Sequence, residues 1–314
     1  MKIKGFVRVI LVFIVVTLAS CMLVSCVPHK EAHEDSGVLF WEVTDGDGKK
    51  LYLLGSIHVA DDDIYPFSDV ILDAFNASDA LAVEVDIDAL ENDIQMQIEV
   101  LQYFMYDDGS TIEDHIDEDL FAKAKQYLVE RDMYSESYLL LKPIFWAELL
   151  SQTAAEKTGL SFDKGVDMYF LKEAKKAQKE ILEVETAVDQ AKAMASLSNN
   201  LQEYYLEDTL NNVGNLVKDT LDLYELWKEA DVEKLEKYVY NEEKKKAFSD
   251  EQLEILNEFE KVMIVDRNKH MVDKAVEYIN SGKKVFYVVG AAHMVGDSGL
   301  VNQLEAKGYK VVKR

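Results

Sequence analysis

Cysteine is almost missing from this 314-residue chain: Cys21 and Cys26 are its only two, both close to the amino terminus. No disulfide framework and no thiolate nucleophile is available to anything downstream. Proline is as scarce, with only Pro28, Pro66 and Pro143. No Gly/Ser-rich stretch interrupts the sequence, so no linker marks a boundary between separate domains. A Gly-rich phosphate loop and a Gly-x-Ser-x-Gly elbow are both absent, which sets aside nucleotide binding and serine hydrolysis. Positive charge is also short: 34 Lys and Arg stand against 59 Asp and Glu, a net charge of −25. Such a surface repels nucleic acid and anionic lipid headgroups, so no nucleic-acid partner is expected. The acids are mixed with lysines along stretches such as residues 229–246, the pattern of a solvated face. Asp61-Asp62-Asp63 is read in the same way, as a solvent-facing loop cluster.

Long apolar runs are confined to the first 25 residues, which read as a lipoprotein signal peptide. Lys2, Lys4 and Arg8 form a basic start, and residues 9–18 form an apolar core too short for a comfortable membrane span. Leu23-Val24-Ser25-Cys26 resembles a lipobox, and Leu18-Ala19-Ser20-Cys21 is the alternative. Cys26 is preferred for lipidation because apolar character runs up to it and residues 26–37 then form a polar tether. Removing the leader takes away three basic residues and no acid, leaving a net charge of −28. Diacylglycerol supplies the two acyl chains that stable anchoring needs. The expectation is an extracytoplasmic bacterial lipoprotein whose membrane partner is reached through its lipid.

What the chain does have is one short pattern written twice. Lys50-Leu51-Tyr52-Leu53-Leu54-Gly55-Ser56-Ile57-His58 is an apolar run ending in Gly-x-x-His, and Lys284-Val285-Phe286-Tyr287-Val288-Val289-Gly290-Ala291-Ala292-His293 is another. Each run reads as a buried strand, short and rich in β-branched and aromatic residues. In an open α/β sheet, ligands bind at the carboxyl ends of the strands. If the two strands are parallel neighbours, His58 and His293 meet at one mouth as a metal or catalytic pair. A third apolar run, Ala80-Leu81-Ala82-Val83-Glu84-Val85-Asp86, carries Glu84. A carboxylate in a buried strand costs several kcal/mol unless it is paired or ligates a metal. Two histidines and that carboxylate make a set suited to Zn, Mn, Fe or Co. A structural salt bridge of Glu84 is the equal alternative.

Strand signals cluster at both ends: residues 38–43, 51–56, 81–86, 285–289 and 309–312, with Asp45-Gly46-Asp47-Gly48 as hairpin-turn chemistry between the first two. From about residue 89 to 280 the periodicity is helical, apart from a brief strand at Ile181-Leu182-Glu183-Val184. The expected fold is α/β of the α+β type. A central mixed sheet is built from both chain ends, and a large helical insertion covers its mouth within one domain over 38–314. Tyr103, Phe104, Tyr106, Phe145 and Trp146 are taken as helical core, with lining of a substrate cleft the alternative. His115 and His270 are taken as surface or structural residues.

The ordered series from 38 to 314 resembles the TraB/GumN family, related to the Tiki metalloproteases and more distantly to the erythromycin-esterase and ChaN folds. The series runs through Leu54-Gly55-Ser56-Ile57-His58, Glu84, Gly165-Val166-Asp167 and Ile181-Leu182-Glu183-Val184-Glu185-Thr186 with Gln190. It continues with Arg267-Asn268, then Val289-Gly290-Ala291-Ala292-His293-Met294-Val295-Gly296, then Gly299-Leu300-Val301 to Gly308-Tyr309. The resemblance implies a metal-dependent hydrolase, a peptidase on extracytoplasmic peptides or protein N-terminal segments. His58, Glu84 and His293 would hold the metal, Mn or Co by preference and Zn as a further option. Glu84 or Glu185 would act as general base, and Arg267 would stabilise the oxyanion. Glu185 as a helix N-terminal acid, and Arg267 as an ordinary partner of Glu84 or Asp86, stand beside those roles. Asn268 and Ser56 are expected on the substrate side. Asp167 is expected to cap its helix, with reaching the site as the alternative. The resemblance also permits a non-enzymatic lipoprotein that captures a peptide pheromone or haem.

Overall fold

The computed structural model describes residues 38–314. The residues read as a signal peptide and tether, with both cysteines, lie outside the described residues. Six strands form one mixed sheet: β1 (Phe40–Thr44), β2 (Lys50–Ser56), β3 (Ala80–Val83), β4 (Glu180–Glu183), β5 (Val285–Gly290) and β6 (Lys310–Lys313). Their order across the sheet is β4-β3-β5-β2-β1-β6. The first pair is the hairpin expected from Asp-Gly-Asp-Gly, closed by Asp45 N–H to the Lys49 carbonyl at 3.1 Å. β4, β3, β5 and β2 run parallel, and β1 is antiparallel to both β2 and β6.

The inner parallel strands, β3, β5 and β2, are the apolar ones, because helices cover the sheet there. All six residues of β5 are buried, and so are all four of β3. β6 at the sheet's edge is exposed at both ends and half-buried between them, ending in Lys313. The central pairing is decisive for function: Gly55 lies opposite Val289 and Ser56 opposite Gly290. The two Gly-x-x-His segments therefore leave adjacent parallel strands at the same edge, although 235 residues separate their histidines.

Everything between β3 and β5 except β4 is helical, as expected. Two apolar cores result. One lies along the sheet and includes Leu53, Val83, Phe286 and Val288. The other is wholly helical, centred on Pro143–Ala155 and containing Phe104, Phe145, Trp146, Leu149 and Tyr205. Pro143 stands at the first turn of that helix, where its missing N–H costs nothing. Phe104, Phe145 and Trp146 are thus core residues, not cleft lining. His115 is half-buried, stacked on Tyr106 with ring centroids 4.2 Å apart and hydrogen-bonded to Ser110, which is less exposed than the sequence suggests. His270 is structural, 2.8 Å from the Val184 carbonyl. No described helix is long and apolar enough to cross a membrane.

Candidate active site

Four parallel strands end at one edge, and each hands over a polar residue within three positions of its end. β3 stops at Val83, so Glu84 follows the strand and does not interrupt it. Glu185 follows β4, His58 follows β2 and His293 follows β5. Neighbouring residues show where this edge sits. Val83 belongs to the sheet core and Val85 to the helical core. On the helical side, Met263 packs in the helical core and Met271 in the sheet core, with Arg267 between them in sequence. The polar cluster therefore occupies the seam between two dry cores.

Arg267 organises one half of it. A five-residue π-helical turn, Lys261–Val265, runs directly into the helix Asp266–Ser281, and π-turns of this kind are frequent at functional sites. Arg267 Nη2 donates to Glu84 at 2.9 Å and to Glu185 at 2.7 Å. Its Nε lies 3.1 Å from each Glu185 oxygen. Gln190 Nε2 donates to both carboxylates, at 3.2 and 3.1 Å. The second oxygen of Glu84 accepts the Gly290 N–H at 2.6 Å. All four residues are nine-tenths or more buried. Burial alone would raise the Glu84 pKa, but the Arg267 charge, helped by the two histidines and the Gly290 N–H, brings it down to about 2. Burial opposes the charge on Arg267, yet the two glutamates hold it firmly protonated.

The histidines form the other half. His58 Nδ1 lies 2.8 Å from Asp167 Oδ2, and Ser56 Oγ donates to Asp167 Oδ1 at 2.8 Å. Burial disfavours protonation of His58, but the charge and hydrogen bond of Asp167 outweigh it and raise the pKa. His293 is fully buried, with Nδ1 2.5 Å from Asn268 Oδ1 and no partner for Nε2. Burial, then the nearby charge of Arg267, push its pKa down to about 3.

The expected site residues are therefore gathered at one edge, with several roles altered. Asp167 occupies the first turn of the helix Val166–Lys176, but its side chain reaches the site instead of capping. The N-cap is Gly165. Ser56 is buried beneath Asp167 and Asn268 is fully buried behind His293, so neither lies on an open substrate face. Thr186, not Glu185, caps the helix Ala187–Ala195, which frees Glu185 for Arg267. Glu84 forms the Arg267 ion pair that stood as the alternative to metal ligation. Among the described residues, no three His, Cys, Asp or Glu side chains are grouped as holding a metal ion requires. The donor chemistry of the two histidines does suit a metal: each is anchored through Nδ1, and the buried Nε2 of His293 lacks a partner. Gln190 was given no site role from sequence and Asp167 only a secondary one, since neither stands next to a strand end. Their place in the ordered series was the one available signal.

Gly165 shows how tightly His58 is seated. A β-carbon there would lie 2.2 Å from the His58 carbonyl oxygen, a backbone atom that cannot swing aside. Gly165→Ala is expected to lower unfolding free energy by about 1–3 kcal/mol and to displace His58 from Asp167. Chemical denaturation with an amide spectrum of His58 checks both, and an unchanged midpoint would refute the close fit.

The sequence profile of the TraB/PrgY/gumN family matches residues 39–313. Among curated proteins, the chain is 26% identical over 172 residues to the uncharacterized protein YbaP of Escherichia coli K12, covering 54% of this chain and 61% of that protein. It is 26% identical over 162 residues to YbaP of Shigella flexneri, covering 51% and 57% respectively. The chain thus spans about three-fifths of the length of the curated relatives it matches. No solved structure matches. With the family profile extending over nearly all the described residues, the chain belongs to the TraB/PrgY/gumN family.

Proposed function

We propose that the strand-end cluster is the active site of a metal-dependent hydrolase acting on extracytoplasmic peptides or protein N-terminal segments. The observation that carries this is the histidine pair: His58 and His293 leave adjacent parallel strands at one edge, each anchored through Nδ1. His58 and His293 would hold the metal, with Mn or Co preferred and Zn possible. When bound, the metal would lower the pKa of a water and polarise a carbonyl. Glu84, Glu185 and Arg267 together carry one net negative charge, and Asp167 lies behind His58. That excess favours a cation at the mouth. A proton released by the attacking water would pass to the Glu84–Glu185 pair, two carboxylates that share one guanidinium. Arg267 has Nε and Nη2 committed to those carboxylates, and Nη1 donates to the Met263 carbonyl at 3.4 Å. Its part is to set their charge, and any oxyanion contact would fall to the second hydrogen of Nη1. A protein that only captures a ligand needs histidines and a cleft, but has no use for two glutamates and an arginine assembled beside them. The peptide substrate rests on the resemblance to the Tiki metalloproteases.

The test is incubation of the purified protein with a diverse peptide pool and Mn, Co or Zn, read by mass spectrometry. Cleavage stimulated by metal and abolished by a chelator is expected. His58→Ala and His293→Ala should each lower kcat/KM by about 100-fold or more. Peptides that bind yet survive intact for hours with metal present would overturn the catalytic reading. A Soret band on haem titration that disappears in His58→Ala would do so in favour of a haem binder.

A further inference from the structure

We propose that Asn268 and Asp167 are positioning residues that hold His293 and His58 each as the Nδ1–H tautomer, leaving two Nε2 lone pairs for an electron-pair acceptor. The proposal rests on the reading that these histidines ligate a metal, but its central claim can be measured without one.

At His293 the tautomer follows from an atom with no choice. Asn268 Nδ2 lies 2.8 Å from the Ser298 carbonyl, which carries no hydrogen and can only accept. Turning the amide over would set oxygen against oxygen, so the nitrogen must face Ser298. Asn268 Oδ1 is then the atom 2.5 Å from His293 Nδ1, and an amide oxygen also only accepts. The hydrogen must sit on Nδ1. Nε2 is left as a bare lone pair in a fully buried ring, with no protein partner. A core histidine kept for packing would have both nitrogens satisfied, because an unmet buried acceptor costs about 1–3 kcal/mol. The Ser298 carbonyl is fixed in turn by Gln303 Nε2 at 2.5 Å, so the anchor itself is braced.

At His58 the same result is reached by different chemistry. Asp167 Oδ2 accepts from Nδ1 at 2.8 Å, while Oδ1 is taken by the Ser56 hydroxyl. Asp167 is placed on the first turn of a helix, where its charge is favoured by the backbone dipoles. The Val166 N–H also donates to the Ile57 carbonyl at 3.0 Å, tying that turn to the residue before His58. An amide anchors the deeper ring and a carboxylate the shallower one. Both place the hydrogen of the neutral ring on Nδ1, which leaves Nε2 as the lone pair.

Long-range proton–nitrogen correlation on the full-length protein with 15N-histidine reads the tautomers directly, with resonances assigned from His→Gln variants. In alkaline solution without metal, where His58 is neutral as well as His293, both rings should show a protonated Nδ1 and a bare Nε2. Asn268→Leu and Asp167→Leu should each shift the ring they serve toward Nε2–H and weaken zinc binding about 10- to 100-fold in calorimetry. A bare Nδ1 on either ring of the wild type, or tautomers unmoved in both leucine variants, would overturn the proposal. Tautomers that respond as expected in a protein that binds no zinc would uphold the positioning roles and reject the metal reading.

Discussion

Replacing Arg267 with methionine is expected to lower the unfolding free energy by about 3–5 kcal/mol at pH 7, with a fall of roughly 10 °C in Tm. Methionine nearly matches the arginine stem in volume, so the loss reports charge and not packing. Two carboxylates, each nine-tenths buried, would be left sharing only Gln190. The pH dependence separates this from a general weakening. In the wild type, Glu84 titrates at about 2, below its ordinary 4.5. Its contribution is therefore fully present above pH 4.5 and lost as pH falls towards 2. The gap between wild type and variant should be widest at neutral pH, begin to narrow above pH 4.5 as the unpaired carboxylates of the variant take up protons, and close towards pH 2. Urea denaturation at pH 7, 5 and 3 would show it. A gap below 1 kcal/mol, or one that stays constant with pH, would mean that Arg267 does not hold the two glutamates.

That prediction also bears on what Glu84 does. One oxygen fixes the Gly290 N–H, the first turn of the path to His293, and the other meets Arg267. A carboxylate so engaged, and ionised down to pH of about 2, is a fixed anchor before it is a base. Arg267→Met should accordingly loosen the β5 end, even if the fold survives.

The strand-end histidines were legible in the sequence because two local signals coincided: an apolar strand-length run, then glycine, twice. Parallel pairing of β2 with β5 agrees with that similarity, since β5 is buried throughout and β2 from Leu53 to its end. The sheet's make-up from both chain ends was legible for the same reason, down to the brief β4 inside the helical region. What a given polar residue touches was not. Glu84 and Arg267 are 183 positions apart and Ser56 and Asp167 are 111 apart. Periodicity says nothing about contacts of that range. Burial of Glu84 demanded a partner, and either arginine or a metal would have met the demand. Asp167 was misassigned because an acid in a first helical turn is favoured by the helix itself, which hides any longer-range role.

Glu148→Gln is expected to stabilise the protein by about 3 kcal/mol at pH 7. Glu148 lies in the middle of Pro143–Ala155, the most buried helix, and is 1% exposed among Trp146, Leu149 and Leu150. Sequence gave no hint of this, because an isolated glutamate in an apolar helix looks like a position that turns outward. Tyr205 donates one hydrogen bond to Oε1 at 3.1 Å, and Oε2 has no partner. Burial pushes the carboxyl up to about 8, against the small opposing effect of Tyr205. The folded protein therefore binds a proton that the unfolded chain releases above pH 4.5. Stability from this group is complete below pH 4.5 and is lost as pH rises towards 8. Glutamine keeps the length and the Tyr205 acceptor but never ionises. Its advantage should be near zero at pH 4.5, grow through pH 6 and 7, and level off above 8. Because the titrations of His58 and the Arg267 cluster are common to both proteins, they cancel in the difference. Guanidinium denaturation of the two proteins across that range gives the curve. An advantage that does not change with pH, or a less stable variant at pH 8, would mean that Glu148 is ionised in the folded protein and has found a partner for its charge.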